Sequence, residues 1–153
     1  MNMKILMVCL GNICRSPIAE GVLQTKVNSK GLDIKVDSAG TGGWHVGQAP
    51  DHRAVAIANK YGIDISNQRA RQFSSSDFES FDIIYAMDGS NLSDIVSLAN
   101  SDEDIEKVRL ILNEISPEAN TPVPDPYYGG DDGFEKVYQL LDAACEIITK
   151  KIS

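Results

Sequence analysis

The chain has 153 residues, 42% hydrophobic and 24% charged, a balance that suits one folded domain over 1–153 and excludes disordered or collagen-like architecture. Its formal net charge of −8 speaks against general binding to nucleic acid or an anionic membrane, so any anionic substrate must be captured by a local site. No apolar run approaches the roughly 20 residues that span a bilayer, and three cysteines cannot all pair within the chain, so a reducing cytoplasm is the expected location.

The opening residues carry a short apolar stretch broken by Gly11 and Asn12, without a small-residue cleavage site. They read as a buried strand, Lys4–Val8, rather than a signal peptide. Ser16-Pro17 then predicts the cap and first turn of a helix with Ile18, Ala19, Val22, Leu23 and Val27 on its apolar face, closed by Gly31. A second strand is expected at Ile34–Ala39, followed by a glycine-rich loop over Gly40–Gly47. Asp51 caps a helix bearing Ala54, Ile57, Ala58 and Tyr61 and closed by Gly62. Ile83–Ala86 predicts strand three, Leu92, Ile95, Val96 and Ala99 a helix, and Lys107–Leu112 strand four. After a loop with Pro117, Pro122, Pro124 and Pro126, a last helix is expected from about Gly133, its stripe running through Phe134, Val137, Tyr138, Leu141, Ala144, Cys145 and Ile148. Strands alternating with helices imply a parallel sheet covered on both faces, whose ligands bind at the carboxyl ends of strands.

The loop after the first strand, Cys9-Leu10-Gly11-Asn12-Ile13-Cys14-Arg15-Ser16, is therefore the place for chemistry. Set between a strand and a helix N-terminus, its backbone N–H groups can converge on one tetrahedral anion, helped by the positive end of the helix dipole. Gly11 and Asn12 tolerate the backbone angles of a tight cradle. Arg15 can grip two phosphate oxygens at once, and the same field favours the thiolate form of Cys9, making it a nucleophile. The Gly-Lys-Ser/Thr ending of a nucleotide-binding loop is missing. A bland alternative stands beside this: a cysteine at a strand end is often a small buried hydrophobe, and an arginine near a helix start is often merely solvated.

Five segments carry a resemblance to the low-molecular-weight protein tyrosine phosphatases. They are VCLGNICRSPIAEGV, VDSAGT, RARQF, FDIIYAMDGSNL and PDPYYGG, at Val8–Val22, Val36–Thr41, Arg69–Phe73, Phe81–Leu92 and Pro124–Gly130. The resemblance implies a single α/β domain of the flavodoxin-like kind, with a four-stranded parallel sheet flanked by helices, that hydrolyses phosphotyrosine without metal or cofactor. It implies Cys9 as the nucleophile that forms a phosphocysteine, Arg15 and the amides from Leu10 through Gly11, Asn12, Ile13 and Cys14 to Ser16 as the phosphoryl cradle, and Asp125 as general acid and then base. Asp-Pro alone reads as a turn, so Asp125 stands out only through the resemblance.

The same resemblance places Trp44, Tyr127 and Tyr128 as aromatic walls around the substrate ring, and Asn12 and Ser38 as polar residues that hold the loop, with plain turn roles as the alternative. It makes Cys14 a partner for a reversible disulfide with Cys9, or else a spectator thiol, and Tyr127 and Tyr128 candidate phosphorylation sites. Ser16 either bonds the Cys9 sulfur or simply caps the helix. Cys145 reads as core. His45 and His52 have no metal-ligand spacing and no assigned chemistry. Where many relatives carry a histidine tied into the loop-supporting network, this chain has Gln68, whose amide could keep the network. Arg69 and Arg71 either offset negative charge near the site or are solvated. The implied partners are phosphotyrosine proteins, a tyrosine kinase among them, with inorganic phosphate as product and a monomer as the default state. Two rivals remain: an arsenate reductase on the same fold, which needs a relay of further thiols, and a phosphotyrosine-binding module without catalysis, which would need neither nucleophile nor acid.

Overall fold

A computed structural model describes residues 2–127 and 131–153. Its frame is one sheet of four parallel strands in the order β2-β1-β3-β4: β1 (Met3–Cys9), β2 (Ile34–Gly40), β3 (Ile83–Ala86) and β4 (Val108–Leu110). β1 lies inside the sheet, and Ile5 through Cys9 are buried without a break, because both faces of this strand are covered. Odd and even positions then divide between two cores. Ile5 and Met7 pack with Ile18, Val22 and Leu23 of α1 (Arg15–Ser29), with Ala54 and Ala58 of α2 (His52–Lys60), and with Val137, Leu141, Ala144 and Ile148 of α6 (Asp131–Ile152). Leu6 and Val8 pack on the other side with Phe73, with Phe78 of α3 (Asp77–Ser80) and with Ile95 of α4 (Gly89–Val96). Each fully buried Val, Leu, Ile or Met side chain among them contributes about 1.5–3 kcal/mol.

The strand order fixes where a ligand can sit. From β1 the chain goes out to β2, then crosses back to β3 on the other side of β1. The sheet therefore reverses direction at β1, and a crevice opens beyond its carboxyl end, at Cys9.

Several boundaries differ from the sequence expectations. Ser16 is not the cap of α1: the helix begins at Arg15 with Cys14 before it, and the Ser16 hydroxyl turns instead to Cys9 and Asn12. β4 is only Val108–Leu110, because Ile111–Glu114 tightens into a 3-10 turn that still buries Ile111 and Leu112. α4 stops at Val96, so Ala99 lies beyond it, and α6 starts at Asp131. Two short helices were not anticipated, α3 and α5 (Asp102–Glu106); neither is long enough to show a periodic stripe. The cap at Asp51 stands as expected, its carboxylate accepting from the Arg53 N–H.

Candidate active site

The eight-residue loop leaves β1 at Cys9 and enters α1 at Arg15. Asn12 makes the turn at φ 59°, a left-handed conformation that asparagine tolerates better than most residues. The loop carbonyls of Cys9, Leu10, Ile13 and Cys14 all point outward, accepting from the N–H groups of Thr41, Gly42, Asp51 and Ile18. Gly40 is required behind them: a Cβ there would come within 2.8 Å of the Leu10 carbonyl oxygen and 3.1 Å of the Asn12 nitrogen.

Two groups converge on the Cys9 sulfur: the Asn12 N–H donates to it at 3.2 Å and the Ser16 hydroxyl lies 3.0 Å away. Asn12 Nδ2 donates to Ser16 Oγ at 2.8 Å, which leaves the Ser16 proton free to point at Sγ. Nδ2 also donates to Ser38 Oγ at 3.0 Å, and Ser38 donates onward to Glu20 at 2.7 Å. Asn12 Oδ1 in turn accepts from the Arg71 N–H at 3.0 Å. Asn12 thus ties the loop to Ser16, Ser38 and Arg71. The Asn12 N–H, however, is committed to the sulfur. Arg71 neutralises Asp37 and Asp77, bonding both through its guanidinium, whereas Arg69 bonds only the carbonyls of Ser66 and Gln68.

Gln68 does not take over the expected network position. Its Nε2 donates to the Pro17 carbonyl, and its buried Oε1 has no hydrogen-bond donor among the described residues. Burial pushes the Glu20 carboxyl up to about 7 against the Ser38 hydrogen bond, with Asp37 adding to the rise and Arg71 opposing it.

Arg15 is 3% exposed and its guanidinium is anchored from behind, Nη1 lying 2.7 Å from Asp88 Oδ2 and 3.0 Å from the Val123 carbonyl. Nη2 is 4.0 Å from Asp125 Oδ2, while Asp125 Oδ1 accepts from the Tyr127 N–H at 3.0 Å. Cys9, Arg15 and Asp125 therefore meet at one cavity of about 400 Å³, whose walls include Leu10, Gly11, Ile13 and Cys14. Trp44, 70% exposed, and Tyr127, 38% exposed, form its rim. Tyr128 lies outside the described residues. His45, given no role from the sequence, also lines the cavity and packs its ring against Gly11. His52 is exposed, and Cys145 is wholly buried on α6. Burial, followed by the Asp51 carboxylate, pushes the Cys14 thiol far up, so it is held protonated. Among the described residues no three His, Cys, Asp or Glu side chains are grouped to hold a metal ion.

Sequence reasoning missed the residues that act from behind, Asp88, Glu20, Asp37, Asp77 and Arg53, and read Asp51 as a helix cap alone. Asp88 sits in a segment already quoted for the resemblance, directly after the apolar end of β3, which was the available signal.

A doubly wound parallel sheet with a cysteine–arginine anion loop at its switch point defines a class of oxyanion-handling α/β proteins. Comparison narrows this. A family model described as low molecular weight phosphotyrosine protein phosphatase matches residues 4–153, and the chain belongs to that family. It is 47% identical over 145 residues to the low molecular weight phosphotyrosine protein phosphatase of Schizosaccharomyces pombe, covering 92% of both chains. It is 40% identical over 150 residues to the human protein of the same name, covering 97% of this chain and 94% of the human one. Its fold superposes on the crystal structure of a protein tyrosine phosphatase from Entamoeba histolytica with Hepes in the active site, with a TM-score of 0.92, 38% identity and coverage of 99% and 97%. A second solved relative, Vibrio vulnificus Wzb in complex with benzylphosphonate, gives a TM-score of 0.88 at 30% identity, with 99% of each chain covered.

Proposed function

We propose that the chain is a protein tyrosine phosphatase that transfers the phosphoryl group of phosphotyrosine to Cys9 and then to water. The observation that carries this is the convergence of three groups on one cavity: the Cys9 sulfur bonded to the Asn12 N–H and the Ser16 hydroxyl, the anchored Arg15 guanidinium, and the Asp125 carboxyl 4.0 Å from that guanidinium. Cys9 attacks phosphorus in line, forming the S–P bond as the P–O bond to the ring breaks. Asp125 gives its proton to the departing phenolate oxygen. Arg15 and the loop amides between Leu10 and Ser16, other than that of Asn12, hold the equatorial oxygens, where charge is greatest in the transition state. Asp125, now a carboxylate, takes a proton from water as that water displaces the Cys9 thiolate and releases inorganic phosphate. Trp44 and Tyr127 flank the phenyl ring, and Tyr128 belongs with them by resemblance.

No step calls for metal or cofactor, because proton transfer comes from Asp125 and charge stabilisation from Arg15 and backbone dipoles. By the family resemblance, Cys14 condenses with a Cys9 sulfenic acid formed by peroxide, expelling water and leaving a disulfide. Substrates of this reading are phosphotyrosine proteins, a tyrosine kinase among them, met by a monomer of one domain in the cytoplasm. Among the described residues no helix is long and apolar enough to cross a membrane. The arsenate-reductase alternative draws no support here, since Cys145 is sealed in the core beneath α1 and cannot act in a thiol relay.

The test is hydrolysis of p-nitrophenyl phosphate and of a phosphotyrosine peptide in the presence of chelator, between about pH 5 and pH 8. Wild type is active, Cys9→Ser falls to background on both substrates, and Asp125→Ala loses about 10²–10⁴-fold on the phosphotyrosine peptide and much less on p-nitrophenyl phosphate, whose leaving group needs little proton donation. Undiminished activity in Cys9→Ser refutes the mechanism, and tight phosphopeptide binding without turnover by the reduced wild type points to a binding module.

A further inference from the structure

Asp125 is exposed, with an exposed Pro124 before it and a buried Pro126 after it. A general acid must be held to within a fraction of an ångström, so something has to fix this segment against the phosphate loop. Arg53, on the first turn of α2, is the group in contact with all the parts concerned. Its Nη2 donates to the Tyr127 carbonyl at 3.1 Å, and the N–H of the same Tyr127 donates to the Asp125 carboxylate. Its Nε and Nη2 form a two-point pair with Asp51, each at 3.0 Å. Asp51 is tied to the anion loop, its own N–H donating to the Ile13 carbonyl at 2.8 Å. The guanidinium also lies over the ring of Phe134, the buried first anchor of α6, at 4.8 Å, and over the Tyr127 ring at 5.4 Å.

We propose that Arg53 is a positioning residue for the general acid: with Asp51 it latches the Asp125–Tyr127 segment to the phosphate-binding loop, so that the acid and the nucleophile share one rigid reference. This rests on Asp125 being the acid of the proposed reaction. The geometry calls for arginine, because one planar fork must serve a carboxylate and a carbonyl at once while its face covers an aromatic ring. Lysine offers a point charge and no plane. Asp51 does three things in this arrangement: it caps α2, pairs Arg53, and bonds the anion loop through its backbone. The pairing is strong enough to hold its carboxyl below the usual range, the Arg53 side-chain hydrogen bond being the main cause. The tie to the cradle is the backbone bond from Asp51 to Ile13, which a side-chain substitution leaves in place, so loss of the Arg53 fork should spare phosphate capture and damage proton delivery.

That separation can be read through the leaving group. p-Nitrophenolate leaves without much help from a proton, whereas phenolate needs one, and kcat/KM reports the step that breaks the P–O bond. The measurement is kcat/KM for p-nitrophenyl phosphate and phenyl phosphate in wild type, Arg53→Ala, Arg53→Lys, Asp51→Asn and Asp125→Asn. For Arg53→Ala the expected result is a loss of about 10–100-fold on phenyl phosphate with a change of no more than about threefold on p-nitrophenyl phosphate. Arg53→Lys should restore little of it. Asp51→Asn keeps the helix cap but weakens the pair, and should shift the ratio in the same direction should Arg53→Ala fold poorly. Asp125→Asn sets the upper limit. An equal loss on both substrates in Arg53→Ala and Asp51→Asn, with Asp125→Asn still selective, overturns the latch and leaves the acid in place. No selectivity in Asp125→Asn overturns the acid assignment and the latch with it.

Discussion

Asp88 and Arg15 are joined by a 2.7 Å contact between Oδ2 and Nη1, and the arginine side chain is only 4% exposed. The pair lies behind the cavity, where Asp88 also caps α4 by accepting from the Asn91 N–H. One carboxylate thus aims a guanidinium whose other nitrogen faces the cavity and Asp125. Removing Asp88 leaves a buried cation without its counter-charge, which costs about 3–5 kcal/mol when the site is fully dry and less here, since Asp88 is 25% exposed. Asp88→Ala should therefore lower the urea midpoint and raise the inhibition constant for inorganic phosphate by about tenfold or more. Asp88→Asn, which keeps an acceptor and the cap, should do less of both. Unchanged phosphate affinity in a folded Asp88→Ala would show that Arg15 needs no such support.

Gly40 supports the anion loop from β2 by having no side chain. The nearest atoms to an added Cβ are backbone atoms of Leu10, Gly11 and Asn12, which cannot swing away. Gly40→Ala should cost about 1–3 kcal/mol by overpacking and lower activity beyond its effect on folding. Circular dichroism melts and phosphate inhibition of the same sample measure both.

Glu20 gives the fold a pH dependence of defined sign. Its carboxyl is raised from 4.5 to about 7 in the folded chain, chiefly by burial. Below about pH 4.5 both states are protonated and nothing is lost. Between there and about pH 7 the unfolded chain releases its proton first, so stability falls. Above that the cost is constant, at most about 3 kcal/mol. Glu20→Gln should be more stable than wild type above about pH 7, with the advantage vanishing towards pH 4. Urea midpoints across this range decide it, and a pH-independent difference would contradict the account.

The three cysteines should separate by reactivity. Cys14 and Cys145 are both held far above the usual thiol range, burial being the first cause in each. Iodoacetamide at neutral pH should alkylate Cys9 alone, and inorganic phosphate should slow it by occupying the cavity. Peptide mapping by mass spectrometry reads the site, and prompt labelling of Cys14 would break the prediction.

What could be read in the sequence was whatever the chain writes locally. The apolar run of β1, the Cys9-to-Arg15 loop and the Asp51 cap are contiguous patterns, and each lies where they indicated. The supports of the site are not contiguous. Asp88 meets Arg15 across 73 positions, Arg71 meets Asn12 across 59, and Arg53 meets Tyr127 across 74. No periodicity encodes such pairs, and a charged residue on a surface helix looks the same whether or not it has a task. Asp125 entered through resemblance to a family, not through its own pattern. Ser16 reads two ways in the sequence, as a helix cap or as a bond to Cys9, and the structure decides: the Cys9 sulfur and the Asn12 amide compete for the same hydroxyl and take it.

The most direct test of the central claim is to catch the phosphoryl group on the enzyme. Mixing wild type or Asp125→Ala with p-nitrophenyl phosphate, quenching in acid within the first turnovers and mapping peptides by mass spectrometry should show one phosphate on Cys9, and none in Cys9→Ser. A phosphoryl group on another residue, or p-nitrophenol released by Cys9→Ser at the wild-type rate, would contradict the account.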